Sequence, residues 1–539
     1  MKKLIYTILV ICSLGLVSCN SWLLDPAPGV TNLEDYFTGG GTAIQATNAA
    51  YVPLMWEYNT TYFPEWFIGD VVSDDALKGG QSVGDMSDVF DMENFKTTST
   101  NTLLLDFYRA QYQGVARCNL SIAEIPKLSP DTVMSASLQN RLIGELKFLR
   151  AMYYFRLVRV FGGVPNVLTP IYSDADWKQV RATKDEIYSQ IISDLTDANT
   201  KLWRKSQYSS GDLGRATKGA AQAMLLKANL YIKNYSEAKR WGDSIMLSNE
   251  YTLVPKYADN FTLAGENGPE SVFEIQYVED PTSDYGEGDG FTRGTFSMIL
   301  TRSRSSKLGG GWGFNKPTEN LYKEFENGDP RRDVTILRPV NIHFSDESSY
   351  VQMETPSQEI YLGDSLLNRK NALYYDNYKT REGITYDSIS WYVLSHATRG
   401  PINNKVIRYS DVLLMYAEAC CELNLLSPAK AALEQVRARA RGNNSAILPV
   451  FPYGSYSDNQ DDLRKAIRHE RRVELAMEGH RWFDLCRWGV AKQVMDAYKA
   501  TESAEAKSYM APFIEGKHEL FPIPSKEIDL NPMDQNPGY

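Results

Sequence analysis

R-K-A-I-R-H-E-R-R-V-E-L-A-M-E-G-H-R-W-F-D-L-C-R-W-G, residues 464–489, interleaves charge with an apolar stripe. At about 100° per residue, Leu463, Ala466, Ile467, Val473 and Met477 fall on one helix face. Glu470, Glu474 and Glu478 lie on that same face, whereas Arg464, Arg468 and Arg472 lie opposite. Asp461 and Asp462 suit the N-terminus of this helix, and Gly479 marks a stop or joint. Three carboxylates within an apolar stripe cost several kcal/mol if buried unpaired. They require cations, and Arg437, Arg439 and Arg481 are the expected suppliers. The stretch therefore reads as a charged packing hub between helices, not as a solvated surface helix. It does not read as a metal site: H-E-x-x-H needs a second histidine where the chain has Val473, which leaves His469, Glu470 and His480 without ligand spacing.

The chain ends in L-F-P-I-P-S-K-E-I-D-L-N-P-M-D-Q-N-P-G-Y, residues 520–539. This ending and R-H-E-R-R-V-E-L-A-M-E-G-H-R-W-F-D-L-C-R-W-G together resemble the signature of the SusD/RagB family, nutrient-binding outer-membrane lipoproteins of Bacteroidetes. The resemblance covers nearly the whole mature chain. It implies a mainly α fold, in which a SusD-like helical scaffold with tetratricopeptide-like helix pairs carries a loop-rich insert with a few short strands. It also implies a non-enzymatic binder without a cofactor. Such a protein captures an oligo- or polysaccharide at the cell surface and passes it to a SusC-like TonB-dependent transporter.

Outside that resemblance, the N-terminus announces a compartment. Lys2 and Lys3 precede an apolar run over residues 4–17 that is too short to span a bilayer, the pattern of a signal peptide. It ends in Leu16-Val17-Ser18-Cys19, which resembles a bacterial lipobox, so residues 1–18 are expected to be removed and Cys19 lipidated. Two or more acyl chains on Cys19 suffice for stable anchoring without a transmembrane helix, at roughly 0.8 kcal/mol per buried CH₂. The expected location is the outer membrane, lipid-anchored and surface-exposed. Net charge is −10, and losing Lys2 and Lys3 makes the mature chain more acidic still, which disfavours a nucleic-acid partner. Beyond Cys12 and Cys19 only Cys118, Cys420, Cys421 and Cys486 remain, too few for a disulfide framework, so buried thiols are expected.

Residues 20–31 read as a tether and residues 32–539 as a single domain. Its scaffold spans about 32–249 and 405–539, and the insert about 250–404. Helical spacing runs over residues 32–58 with a break at Pro53, and residues 59–102 are loop-rich. Helices are expected over residues 103–125 and 138–161, the latter apolar nearly all round and stopped by Gly162-Gly163. Thr183 with Glu186 forms a capping-box pattern. Residues 216–232 with 235–247, and 405–423 with 428–441, read as two helix pairs rich in small residues such as Ala220, Ala223, Ala417 and Ala429. In the insert, residues 271–278 alternate like a strand, and residues 318–332 suit a short helix and turn.

No catalytic motif stands out. There is no G-x-S-x-G, no phosphate loop and no zinc spacing among five histidines. Asp284, Glu287 and Asp289 depart from the calcium-loop order and read as a solvated turn. The aromatic loops are better candidates, because a sugar offers apolar C–H faces to exposed rings and hydroxyls to neighbouring polar groups. Candidate ligand contacts are Tyr62 and Trp66 beside Asp75, Tyr285 and Phe291 around a glycine-acid loop, and Trp312 between glycines. Two other functions compete with glycan capture: a surface glycoside hydrolase on a helical scaffold, and a scaffold that binds another protein. A glycan panel scored for binding and turnover separates all three.

Overall fold

The computed structural model describes residues 36–57, 64–173, 176–279, 293–305, 308–338, 342–343, 350–351, 366–381, 384–396 and 399–539. Eight of its helices pack in series: Thr102–Glu124, Ala136–Phe161, Lys184–Lys201, Lys218–Tyr231, Tyr235–Leu247, Tyr409–Glu422, Leu426–Arg441 and Gln460–Glu474. Their starts are set by local chemistry. Asn101, Ser135, Thr183, Thr217 and Asn459 each accept a backbone N–H with their side chain. Thr183 and Glu186 form the reciprocal capping box expected of them. The helix Ala136–Phe161 is buried on nearly every side along its second half, as its apolar sequence requires.

Both expected helix pairs are present, and they are one stack. Tyr235–Leu247 packs on Tyr409–Glu422 across a sequence gap of more than 150 residues, with Tyr416 seated against Gly242. One boundary differs from expectation. Lys405 to Arg408 does not begin a helix. It belongs to the strand Asn404–Arg408, which pairs antiparallel with Ser271–Ile275. The alternation of Lys405, Val406, Ile407 and Arg408 suits a strand, and the Ser271–Ile275 edge offers the pairing that local propensity cannot foresee. That partner strand is buried at all five positions, so its apparent alternation does not mark a solvent face.

The remaining strands are short. Ala76–Gly79 pairs with Phe314–Pro317, Ile336–Leu337 with Leu367–Asn368, and a four-stranded sheet joins Tyr350–Val351, Ile342–His343, Ile384–Trp391 and Tyr374–Arg381 in that order. The segment expected to be loop-rich also holds the short helices Trp66–Gly69 and Ser87–Glu93. The fold is mainly α with a few short strands. Among the described residues no helix is long and apolar enough to cross a membrane, and Cys118, Cys420 and Cys421 are buried free thiols.

Candidate functional site

The charged stretch near the C-terminus fixes the candidate site from below. Its helix Gln460–Glu474 stops at Leu475, earlier than the periodicity implies, and Met477 takes a positive φ of 62° before Gly479 at 76°. Glu470 accepts from Arg331 at 2.5 Å and Arg437 at 2.9 Å. Glu474 is paired with Arg331 at 3.0 Å, Arg408 at 2.9 Å and Arg439 at 2.5 Å. Glu478 is paired with Arg408 and Lys370, both at 2.8 Å. Burial would raise the Glu474 carboxyl, but Arg439, Arg408 and Arg331 outweigh it and hold the group well below the usual carboxylate range.

Arg437 and Arg439 take the roles expected of them, whereas Arg481 turns to Asp74 at 2.8 Å. Arg331, Lys370 and Arg408 come from the insert and its closing strand, where no local pattern marks them as partners. Arg472, expected on the outer face, is buried and binds Asp74 at 2.8 Å and Asp75 at 2.7 Å. Burial raises Asp74 too, but Arg472 and Arg481 bring it down to about 2. Glu326, His469 and Glu470 bring potential ligand atoms within 4.8 Å of one another. Arg437 pairs with both carboxylates and Arg331 with Glu470, so guanidinium groups already neutralise that cluster.

The hub grips residues 66–79. Gly479 N–H donates to Asp70 at 2.8 Å, and Asn315 donates to the same carboxyl at 3.1 Å. A Cβ on Gly69 would sit 2.1 Å from the Gly479 carbonyl oxygen, so only glycine permits this approach. Asp75, expected as a polar group beside a ligand, is 1% exposed and committed to Arg472. A ligand could reach it only by displacing that arginine.

Above the hub, two stretches singled out for their aromatics, around Trp66 and Trp312, meet the short helix Ser297–Thr301. Glu57, which sequence reasoning missed, is the knot. Its carboxylate accepts from Thr295 Oγ1 at 2.7 Å, Phe296 N at 2.9 Å, Ser297 N at 3.0 Å and Ser297 Oγ at 2.9 Å. Trp66 Nε1 donates to that same Ser297 hydroxyl at 2.8 Å. Trp312 N donates to the Ile299 carbonyl at 3.0 Å, and its half-buried ring meets Phe296 edge-on at 5.0 Å. The flanking glycines do more than expose this ring. A Cβ on Gly311 would lie 2.5 Å from Arg302, so the backbone can cross there only without a side chain. Val278 N–H donates to the Arg293 carbonyl at 2.9 Å, which closes the neck of the segment between them. Tyr62, Tyr285 and Phe291, like Cys19, lie outside the described residues. So does the acidic turn at Asp284, Glu287 and Asp289.

Trp66 itself is 6% exposed and faces inward. Its edge lines a cavity of about 90 Å³ with Glu57, Lys227, Lys370, Glu478 and His480. Ligand sites of drug size or more occupy roughly 300–1,000 Å³, so this cavity is too small for a sugar chain. Burial, with Lys227 and Arg471 nearby, lowers His480 to about 4 and keeps it neutral at neutral pH. Trp66 and Asp75 are thus buried, whereas Trp312 is partly exposed with its ring packed on the core.

Comparison with known proteins places this architecture. Residues 243–539 match the model of the SusD family, and residues 71–230 match one described as starch-binding associating with outer membrane. SusD-like protein P2 of Formosa agariphila is 25% identical over the full length of both chains. Among solved structures, a laminarin-binding SusD-like protein is 27% identical with a TM-score of 0.75, covering 93% of this chain and 100% of that one. Surface glycan-binding protein A from Bacteroides thetaiotaomicron, solved with laminarihexaose, has a TM-score of 0.73 at 24% identity. The alignment covers 93% of this chain and 100% of that one, and it shows the shared fold.

Proposed function

The chain belongs to the SusD family, and from that premise we propose that it is a lipid-anchored glycan receptor of the outer-membrane surface. It captures an oligo- or polysaccharide without cleaving it and passes it to a SusC-like TonB-dependent transporter. The observation that carries this reading is the knot at Glu57. It ties the bases of the residue 58–63 and 280–292 segments to the helix under Trp312, on a scaffold that the buried ion pairs make rigid. A side chain such as Trp312 held on this scaffold needs little ordering at the moment of capture, which removes part of the entropic cost of association.

Trp312 stacks on a sugar ring, with Tyr62, Tyr285 and Phe291 as further contacts, while Trp66 and Asp75 stay buried in the scaffold. The laminarin-binding relative makes β-1,3-glucan oligosaccharides the first ligands to try. The test is a panel of defined glycans, scored for binding by calorimetry and for turnover by product analysis, on wild type and Trp312→Ala. Expected is saturable binding to at least one glycan with no cleavage, weakened about fivefold or more in the variant, a loss of roughly 1 kcal/mol or more. Binding that survives Trp312→Ala while the melting temperature falls steeply would make Trp312 a packing residue. Turnover of a bound glycan would refute the receptor reading.

A further inference from the structure

The cavity of about 90 Å³ beside Trp66 is too small for a sugar chain, yet its walls are rich in charge. It lies where the scaffold helices Ala136–Phe161 and Lys218–Tyr231 meet the joint at residues 477–480 and the strand Asn404–Arg408. The acids on its walls are already satisfied. Glu65 pairs with Arg156 at 3.0 Å and also with Arg159. Glu57 accepts four hydrogen bonds from Thr295, Phe296 and Ser297, and Glu478 is shared by Arg408 and Lys370. These carboxylates therefore do not call for a cation in the cavity.

Two bases on the walls are not satisfied. Lys227 is 4% exposed, and among the described residues its ammonium donates to Asp411 alone, at 3.2 Å. An ammonium carries three N–H donors, so two of them remain to be met. Asp411 is moreover held by Arg471 at 2.7 Å, closer than Lys227. The His480 ring makes no hydrogen bond to a described residue, and it stands near enough to Lys227 for that charge to help keep it neutral. Buried donors left unmet are costly, so the cavity needs a polar occupant. Water alone suits it poorly. At about 30 Å³ each, roughly three waters fill the space, and each needs two to four polar partners. Met152, Phe155, Met224, Val406 and Met477 line much of the remaining wall and offer none.

We propose that this cavity is a binding site for a short-chain carboxylate of about the size of acetate. Its oxygens accept from Lys227 Nζ and from the His480 ring, and its alkyl group packs on the methionines. Such an occupant has the acceptors that Lys227 lacks and an apolar body for the rest of the wall, which neither water nor a halide supplies. It joins a scaffold helix to the joint behind the charged hub, and so fastens the two together. This site is separate from glycan capture and does not depend on it.

The test is the melting temperature of the mature chain in a carboxylate-free buffer of constant ionic strength, titrated with sodium acetate. Acetamide, a neutral molecule of the same shape, and sodium chloride serve as controls. Expected is a saturable rise with acetate, about fivefold or more larger than with either control at the same concentration. The rise should vanish in Lys227→Met and in His480→Leu. The second variant leaves the Lys227–Asp411 pair in place, so it decides the matter by itself if Lys227→Met does not fold. No rise with acetate would leave water as the occupant and overturn the proposal. An equal rise with acetamide or chloride would overturn the carboxylate, and a rise that persists in His480→Leu would place the bound acetate elsewhere and overturn the site.

Discussion

Replacing Glu474 with Gln keeps the shape of the side chain and removes one charge from the centre of the hub. Glu474 is fully buried and paired with Arg331, Arg408 and Arg439, and around it Glu270, Asp329, Glu470 and Glu478 face those three arginines together with Lys370 and Arg437. Glu326 also pairs with Arg437, so six acids face five bases, and Glu474 is the one carboxylate that Arg331, Arg408 and Arg439 share. The variant takes the shared carboxylate charge away from three buried arginines. Removing one partner of a buried pair costs about 3–5 kcal/mol. For a chain of about 500 residues the unfolding entropy is on the order of 1 kcal/mol per degree, so the melting temperature should fall by about 3–5 °C.

Calorimetry at a fixed scan rate measures this, and a double-mutant cycle tests the cause. Adding Arg439→Gln removes one of the cations left without that carboxylate, so the double variant should melt higher than the sum of the two single losses implies. The acid limb supplies an independent sign. Glu474 is depressed in the folded state, so the unfolded chain takes up its proton first. Its contribution is complete above the unfolded value and is lost progressively below about pH 5. Glu474→Gln should therefore lose less stability than wild type between pH 5 and pH 2. A variant that melts within a degree of wild type, with strictly additive losses in the cycle, would refute the hub as the element that holds the fold.

Glu93 behaves oppositely. Burial raises it to about 8, outweighing the Lys78 N–H at 3.3 Å and the Lys78 charge that favour the anion. The folded state binds its proton more tightly than the unfolded state, so stability should rise as pH falls from about 9 towards 5. Glu93→Gln should gain ~1 kcal/mol or more over wild type at pH 9, with little difference at pH 5. A urea titration at both values checks this, and equal midpoints at pH 9 would remove the penalty assigned to burial. Cys19→Ala should release the protein from the outer membrane of cells that lack its partner transporter, as read by fractionation. Retention as firm as wild type would contradict lipid anchoring at that residue.

What the chain settles by itself is whatever depends on short-range order. The cap at Thr183, the nearly all-apolar helix ending at Phe161 and the two small-residue helix pairs are legible because each signal lies within a turn or two of the backbone it controls. The same holds for the demand that Glu470 and Glu474 be paired, since helical periodicity alone puts them on a buried face, whereas Glu478 lies past the helix end and is paired by the fold. Which cations answer that demand is not local. Arg331 and Arg408 lie 143 and 66 residues from Glu474, and they meet it only because the strand Asn404–Arg408 finds Ser271–Ile275 and the insert folds back on the scaffold. Lys405 to Arg408 looked helical for the same reason, as its strand partner is far away in sequence. The site divides similarly. Composition points to aromatic loops, but it cannot tell a half-buried ring, such as Trp312, from one turned into a cavity, such as Trp66. Nor can it pick Glu57 from the other acids. A carboxylate becomes the knot of two loops when folding brings Thr295, Phe296 and Ser297 within 3.0 Å of it, across more than 230 residues of chain.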